Sequence, residues 1–260
     1  MGELRLDHPA PGVARLTISN PERRGALDRA ILERFVELLP TLAARCLIIT
    51  GEERIFSAGY DLRDLPPAPT PQVAEELVNH PYNEAIAAIE SFPYPTIAAL
   101  NGHALGGGLE LAVACDLRYA VPGIALGMPP AKLGLIYTQA GLSRFLELIG
   151  PGRTRELFLT ARRIDSERAE RWGLVNELIA AERLSEWVLE LAAEMAAENA
   201  PLAQAGNKRT IAALLRAGRG LSPELEAELA ELRRTCFHSA DFAEGVSAFG
   251  EKRAPRWRGE

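Results

Sequence analysis

The chain has 260 residues, of which 47% are hydrophobic and 25% are charged, and its formal net charge is −6 at pH 7. These proportions are typical of a globular protein, and the length allows one large domain or one domain with an appendage. Lys and Arg are scattered along an acidic chain, which argues against a general nucleic-acid binder with a basic stripe.

The N-terminal part of the chain alternates between strand and helix signals. Short strands are predicted at residues 4–7 and 13–19, with a turn between them that contains proline and glycine. Asp28 is placed to cap a helix that ends near residue 39. The apolar segment 46–50 predicts a buried strand, whereas segment 56–62, which contains a glycine, predicts a loop.

Prolines interrupt the pattern in the middle of the chain. Four prolines between residues 64 and 71 exclude a regular helix or a central strand there. We interpret this segment as a surface loop and a candidate flap over a pocket. A helix interrupted near Pro81 is predicted from residue 73 to residue 91. The apolar segment 96–100 predicts a buried strand, and a glycine-rich turn follows it.

The remaining elements continue the alternation until the chain becomes helical throughout. In chain order, the sequence predicts strands at 117–120 and 124–126, a helix at 139–148 that stops at Gly150-Pro151, a helix at 166–172 that Asp165 caps and Gly173 closes, a strand at 175–179, and helices from residue 201 onward. Alternating strands and helices indicate an α/β layered fold. We place an α/β core at residues 1–195 and a helical C-terminal region at residues 196–260.

The cysteines and the apolar runs give no sign of a metal site or a secreted protein. Cys46, Cys115 and Cys236 lack the number and spacing of a disulfide framework. No Cys–His cluster has metal-ligand spacing, so no metal site is predicted. The N-terminal residues lack the apolar core of a signal peptide, and no apolar run reaches membrane-spanning length. We therefore expect a cytoplasmic protein that binds neither nucleic acid nor membrane.

Segment 101–116 is the most informative part of the sequence. Gly106, Gly107 and Gly108 follow the predicted strand, and the apolar stretch after them contains a single acid, Glu110. A strand–glycine–helix junction lets backbone N–H groups approach a ligand, and the helix dipole there favours an anion or an oxygen that becomes one. Glu110 lies on roughly the same helix face as Gly107. The alternative interpretation is a tight strand–helix crossing with a chance acid.

Several segments, in order, resemble the enoyl-CoA hydratase/isomerase (crotonase) superfamily. These segments are 20–27, 56–62, 101–110, 115–120, 160–178 and 241–253. The resemblance implies an α/β, crotonase-like spiral of ββα units, with the helical C-terminal region packing subunits into a homotrimer or a hexamer. It also implies acyl-CoA thioester substrates, so that coenzyme A enters as part of the substrate and no prosthetic group is bound.

The same resemblance implies which residues are catalytic. Two backbone amides of the family hold the thioester oxygen while it becomes an enolate, and the matching positions here are Tyr60 and Gly107. Losing one such donor typically costs roughly 3–4 kcal/mol of barrier. Glu110 matches the first of two glutamates used by the family's hydratases, but the second position is Pro130, which has no proton to exchange. Tyr137 matches a tyrosine of methylmalonyl-CoA decarboxylase-like members, and its alternative interpretation is a packed aromatic residue on a loop.

Contacts to coenzyme A are also implied by the resemblance. The matching positions are Arg24, Ala26, Ala58, Asp61, Leu62, Phe249 and Lys252. Arg and Lys suit phosphate groups by charge and donor geometry. Alternatively, each of these cations is a solvated surface residue. Asp61 has its own alternative interpretation, as a residue that fixes its own loop.

The sequence predicts a lyase that processes acyl-CoA through an enolate, by hydration or dehydration or by decarboxylation. Decarboxylation needs a held thioester oxygen and a proton donor for the enolate but no strong base, which is compatible with Pro130. The alternatives are an enoyl-CoA double-bond isomerase and a non-catalytic homologue that only binds acyl-CoA.

Overall fold

A computed structural model of the chain describes residues 2–61, 81–133 and 137–217, with short pieces between residues 222 and 260. The proline-rich segment 64–71, interpreted above as a flap, lies outside the described residues, as does the first half of the helix predicted at 73–91. Within the described part of the chain, no helix combines the length and the apolar character needed to cross a bilayer.

Strands and helices alternate along the chain until the last two helices. The strands are β1 (Glu3–Ala10), β2 (Val13–Ser19), β3 (Ala26–Leu27), β4 (Cys46–Gly51), β5 (Ile55–Ser57), β6 (Gly59–Tyr60), β7 (Thr96–Leu100), β8 (His103–Leu105), β9 (Leu117–Ala120), β10 (Ala125–Gly127), β11 (Ile164–Asp165) and β12 (Glu177–Leu178). The helices are α1 (Arg29–Leu38), α2 (Tyr82–Ser91), α3 (Gly107–Ala114), α4 (Gln139–Thr160), α5 (Ser166–Trp172), α6 (Leu184–Glu198) and α7 (Pro201–Ala217).

The strands wind into a spiral. One sheet has the strand order β1-β2-β4-β7-β9-β12, a second has the order β11-β10-β8-β5, and β3 pairs with β6. The successive pairs β4–β5, β7–β8 and β9–β10 each contribute their first strand to the six-stranded sheet and their second to the four-stranded sheet. Helices α2, α3 and α4 follow these pairs. The predicted spiral of ββα units is therefore confirmed.

Parallel pairing explains why the central strands are apolar. Apart from the β1–β2 and β10–β11 pairs, the strands of these sheets pair in parallel. Parallel strands require crossover connections, and the crossing segments then cover the sheet faces. Accordingly, β7 is buried at every residue and β4 at every residue except Thr50.

Helix ends with strong local signals lie where the sequence predicts them. The Asp28 carboxylate accepts a hydrogen bond from the Ile31 N–H at 3.1 Å and so caps α1. The Asp165 carboxylate accepts one from the Arg168 N–H at 2.7 Å, and Gly173 ends α5 in a left-handed conformation. These predictions succeed because a cap depends only on residues within a few positions of the helix end.

The prediction of a loop at residues 56–62 is wrong. This segment contributes to β5, which pairs with β8, and to β6, which pairs with β3. Strand β8 was not predicted either. Such short strands carry no periodicity of their own, because they are defined by hydrogen bonds to distant partners.

Helix α4 is longer than predicted because it consists of two halves. Gly150, with φ of +73°, interrupts the helix at the predicted stop, but a second helical half follows and ends at Thr160. The two halves fold against each other, since the rings of Phe145 and Phe158 meet edge to face with centroids 5.1 Å apart. The strand predicted at 175–179 is present but shorter, as β12.

Residues 201–217 are helical, as predicted, whereas the described residues 256–260 form no helix. The boundary placed between residues 195 and 196 falls inside α6, so the division into a core and a C-terminal region stays a prediction. Helix α7 leaves large apolar side chains in solvent, with Ile211 58%, Leu214 53% and Leu215 52% exposed.

Candidate active site

The start of α3 lies against β6. Gly59 has φ of +98°, and a Cβ atom at this position would lie 2.6 Å from the Leu105 carbonyl oxygen and 3.1 Å from the Gly107 nitrogen. Only glycine permits this approach together with this backbone conformation. Tyr60 follows directly, so the structure brings the two segments that carry the expected amide donors, Tyr60 and Gly107, into contact.

The electrostatics of helix α3 favour the binding of an anion at its N-terminus. Gly107 is its first residue, and the N–H groups of a first helical turn have no partner within the helix. At the opposite end, the Arg118 guanidinium donates to the Cys115 carbonyl at 2.5 Å and to the Leu174 carbonyl at 2.9 Å. Burial lowers the pKa of Arg118. A cation at the C-terminus complements the helix dipole and anchors α3 from behind.

The Glu110 carboxylate is buried, and hydrogen bonds engage both of its oxygens. Its side chain is 1% exposed. Oε2 accepts hydrogen bonds from the hydroxyl of Tyr82, at 2.8 Å, and from the hydroxyl of Tyr137. Oε1 accepts one from Nη1 of Arg144 at 2.9 Å. Three donors therefore hold the Glu110 side chain in one position at the start of α3.

Arg144 connects Glu110 to a second acid. Its Nε and Nη2 atoms donate to the two carboxylate oxygens of Glu90 at 2.6 and 3.0 Å. Burial on its own lowers the pKa of Arg144, but hydrogen bonds and charge from Glu90, with the charge of Glu110, outweigh it and raise that pKa. The guanidinium is thus a fixed positive charge between α2 and α3.

The two tyrosine hydroxyls remain protonated donors at neutral pH. Burial raises the pKa of Tyr137 well above its ordinary value, and the adjacent charge of Glu110 adds to the effect. Burial likewise raises the pKa of Tyr82, with further contributions from Tyr137 and Glu110. The Tyr82 hydroxyl also lies 2.8 Å from the Gly107 carbonyl oxygen, which it reaches across the first turn of α3.

Of the two tyrosines whose hydroxyls donate to the Glu110 carboxylate, Tyr137 is the more exposed. It is half-buried, whereas Tyr82 and Glu110 are buried. The Phe158 ring supports Tyr137 from behind, with ring centroids 5.4 Å apart. Residues 62–80 and 134–136, which flank Tyr60 and Tyr137 in the sequence, lie outside the described residues.

Pro130 occupies the position where the resemblance leads us to expect a second acid. It begins a short 3-10 turn, Pro130–Leu133, and is buried. Pro129 lies beside the glycines, since its Cδ would be 3.8 Å from a Cβ atom at Gly106. This loop therefore reaches the site without bringing a carboxylate at residue 130.

The described residues predicted to contact coenzyme A lie together around β3 and β6. The Ala58 N–H donates to the Arg24 carbonyl at 3.0 Å, and Ala26 pairs with Gly59. Arg24 is exposed, with φ of +54°. The buried carboxylate of Asp61 forms an ion pair with Arg23 at 2.6 Å, which fits the loop-fixing interpretation. Leu62, Phe249 and Lys252 lie outside the described residues.

Sequence reasoning missed Tyr82, Arg144 and Glu90. A weak signal existed for Arg144, because it lies close to Leu142 and Phe145 in the predicted helix, and a cation that is buried among apolar residues requires a partner. No comparable signal pointed to Tyr82, whose hydroxyl meets a residue 28 positions away.

A cavity of about 610 Å³ lies next to the site but is not lined by the candidate catalytic residues. Its walls contain Arg144 and Glu90 together with residues of α4, α7 and the C-terminal end of α3, but neither Glu110 nor Gly107. Among the residues that the structure describes, no group of three or more His, Cys, Asp or Glu side chains could hold a metal ion.

Comparisons with known proteins agree with this architecture. The sequence model of the family described as enoyl-CoA hydratase/isomerase matches residues 9–260. Carnitinyl-CoA dehydratase of Salmonella typhi is 34% identical over 267 residues, covering 98% of each chain. The mitochondrial enoyl-CoA hydratase domain-containing protein 2 of Bos taurus is 32% identical over 264 residues, covering 98% of this chain and 87% of that protein. The crystal structure of enoyl-CoA hydratase from Bacillus anthracis has a TM-score of 0.89 at 30% identity, covering 99% of both chains.

Proposed function

Because the chain belongs to the enoyl-CoA hydratase/isomerase family, we propose that it is an enzyme that binds an acyl-CoA thioester and stabilises its enolate. The observation that carries the proposal is the buried Glu110 carboxylate, with its tyrosine partners, beside the start of α3. The N–H groups of Tyr60 and Gly107 are the proposed donors to the thioester oxygen. As this oxygen gains negative charge, fixed donors and the helix N-terminus stabilise it increasingly.

The proposed reaction class is a lyase reaction at the carbons next to the thioester. In dehydration, a base removes the α-proton, the electron pair moves onto the thioester oxygen, and its return expels the β-hydroxyl, which leaves as water by taking the proton that the base removed. Hydration is the reverse. The proposed base is the Glu110 carboxylate acting through the Tyr137 hydroxyl, and the similarity to a protein named carnitinyl-CoA dehydratase supports this direction.

Decarboxylation is the second candidate, and Pro130 favours it. In that reaction the bond from the α-carbon to a carboxylate breaks, carbon dioxide leaves, and the electron pair again moves onto the thioester oxygen. The enolate then takes a proton at the α-carbon. No second acid is needed, and a hydroxyl donor such as Tyr137 is sufficient.

Tyr137 is the proposed group that exchanges a proton with the substrate. Both oxygens of Glu110 already accept hydrogen bonds, and its side chain is almost fully buried. Tyr137, which donates to this carboxylate, is half-buried, so it is the member of the pair that a substrate can reach more easily. As Tyr137 takes the α-proton from the substrate it passes its own hydroxyl proton to Oε2 of Glu110, and the reverse transfer returns a proton to the substrate, so that the pair acts as one general acid–base unit.

Binding of coenzyme A is proposed at the residues that match the family, which are Arg24, Ala26, Ala58, Asp61, Leu62, Phe249 and Lys252. Assembly into a homotrimer or a hexamer is proposed for the C-terminal region. The exposed Ile211, Leu214 and Leu215 on α7 support the assembly, because large apolar side chains grouped on one exposed helix are typical of an interface.

The test is to incubate the protein separately with crotonyl-CoA, methylmalonyl-CoA and a 3-enoyl-CoA, and to follow the products by mass. Hydration adds water, decarboxylation removes carbon dioxide, and isomerisation leaves the mass unchanged while it creates a conjugated thioester. Tight binding of these esters without turnover would favour the non-catalytic alternative. Efficient isomerisation alone would favour the isomerase.

Variants assign the roles within the site. Tyr137→Phe is expected to lower kcat by roughly 10²- to 10⁴-fold, as the loss of a general acid does. Tyr119→Phe is the matched control, because it removes the hydroxyl of a buried tyrosine that lies on β9 beside Trp187 and outside the proposed site. Full activity of Tyr137→Phe would remove this residue from the mechanism.

A further inference from the structure

Tyr82 contacts three of the residues to which the proposed function gives a catalytic role, namely Glu110, Gly107 and Tyr60. Its hydroxyl lies 2.8 Å from the Glu110 Oε2 atom and 2.8 Å from the Gly107 carbonyl oxygen. Its ring meets the Tyr60 ring edge to face, with centroids 6.3 Å apart. Resting on the proposed function, we infer that Tyr82 is a positioning residue that ties the protonation of Glu110 to the placement of the amide donors at Gly107 and Tyr60.

The number of hydrogens in the cluster supports this inference. A tyrosine hydroxyl has one proton to donate and can also accept, whereas a carbonyl only accepts. When Glu110 is ionised, Tyr82 and Tyr137 both donate to Oε2. When Glu110 is protonated on Oε2, that proton is donated to the Tyr82 oxygen, and Tyr82 turns its own proton to the Gly107 carbonyl. Either way the Tyr82 and Glu110 oxygens keep hydrogen-bond partners, so the cluster can hold the same geometry in both states.

The ring of Tyr82 performs the second part of this function. A Cβ atom at Gly107 would lie 3.0 Å from Cε2 of Tyr82 and 3.2 Å from both Cζ and the hydroxyl oxygen. The ring therefore packs directly on the residue whose N–H is a proposed donor to the thioester oxygen. Because the Tyr60 ring abuts the same ring, Tyr82 contacts both of the segments that must present their amides to one atom.

The experiment separates the hydroxyl from the ring. Tyr82→Phe keeps the packing on Gly107 and removes the proton shared between Glu110 and the Gly107 carbonyl. We expect kcat to fall roughly 10- to 100-fold, while KM changes by less than about threefold, because the hydroxyl acts on proton transfer and not on coenzyme A binding. Tyr82→Leu, which also removes the ring, should lose further activity.

A double variant tests the shared acceptor. Tyr82 and Tyr137 donate to the same oxygen, so the loss of kcat in Tyr82→Phe/Tyr137→Phe should be clearly smaller than the product of the two single losses. Thermal unfolding of each variant shows whether it is folded, and Tyr119→Phe serves again as the control.

The outcomes separate the inference from the function on which it rests. Wild-type kcat in Tyr82→Phe would overturn the inference while the proposed function stands. Equal losses in Tyr82→Phe and Tyr119→Phe, accompanied by equal falls in melting temperature, would also overturn it, since the effect would then be structural. A wild-type protein that turns over no acyl-CoA thioester would overturn the proposed function and the inference together.

Discussion

Replacing Gly141 by alanine perturbs the proposed acid–base unit without removing any functional group. Gly141 is buried in the first turn of α4. A Cβ atom there would lie 2.5 Å from Cε1 of Tyr137, 2.8 Å from Cδ1 of the same ring, and 2.8 Å from Oε1 of Glu110. The added methyl group therefore enters the contact between the residues that are proposed to transfer protons.

The distances give the size of the effect. Nonbonded carbon atoms prefer a separation of about 3.5 Å or more, so the Tyr137 ring must move by about 1 Å. A displacement of this size in a catalytic group costs about 10²-fold in rate, which corresponds to about 2.7 kcal/mol of barrier. Overpacking destabilises the fold by about 1–3 kcal/mol, and the better helix propensity of alanine offsets up to about 1 kcal/mol.

Steady-state kinetics and chemical unfolding measure the two effects separately. For Gly141→Ala we expect kcat to fall about 10²-fold on whichever acyl-CoA the wild type converts, with a net loss of stability of about 1–2 kcal/mol. Gly152→Ala is the matched control in the second half of α4, because a Cβ atom there meets nothing within 4 Å. A folded Gly141→Ala protein with wild-type kcat would refute the argument that the Tyr137–Glu110 contact is catalytic.

Further predictions concern the buried charges and thiols. Arg144→Met removes the cation shared by Glu90 and Glu110. We expect the free energy of unfolding in urea to fall by roughly 3 kcal/mol, and kcat to fall as well. An unchanged unfolding midpoint would contradict the ion-pair argument. Burial raises the pKa of Cys46 and of Cys115 from 9.0 to about 12. Unfolded thiols thus lose protons before folded ones, so stability falls as the pH rises above 9, by about 2–3 kcal/mol per thiol at pH 11. The double variant Cys46→Ala/Cys115→Ala lacks this pH-dependent loss. The difference in unfolding free energy between the wild type and this variant should therefore become smaller between pH 8 and pH 11, and a constant difference would refute the burial argument.

The sequence predicted best the features that depend on nearby residues. The cap of α1 by Asp28 and both ends of α5 follow from contacts within a turn of the helix end. The strand 96–100 could be predicted because a central parallel strand is apolar on both faces. Strands β6 and β8 could not, because each exists only through hydrogen bonds to a distant segment.

The residues of the candidate site also divide into those that the sequence could predict and those that it could not. The glycines and Glu110 lie on one short segment, and the family resemblance added Tyr60 and Tyr137, whose roles stay proposals. Arg144 is 34 positions from Glu110, and Tyr82 is 28 positions from it. Their convergence depends on how α2 and α4 pack against α3, and no spacing rule within one segment can express that packing.

The bend of α4 at Gly150 makes a distant position matter to the centre of the molecule. A straight helix would hold Phe145 and Phe158 about 20 Å apart along its axis, yet their rings touch. The reversal also places Phe158 behind Tyr137. A side chain at Gly150, where φ is +73°, would strain this bend and, through Phe158, would displace Tyr137 in the proposed site, so a residue far from that site in the sequence helps to shape it.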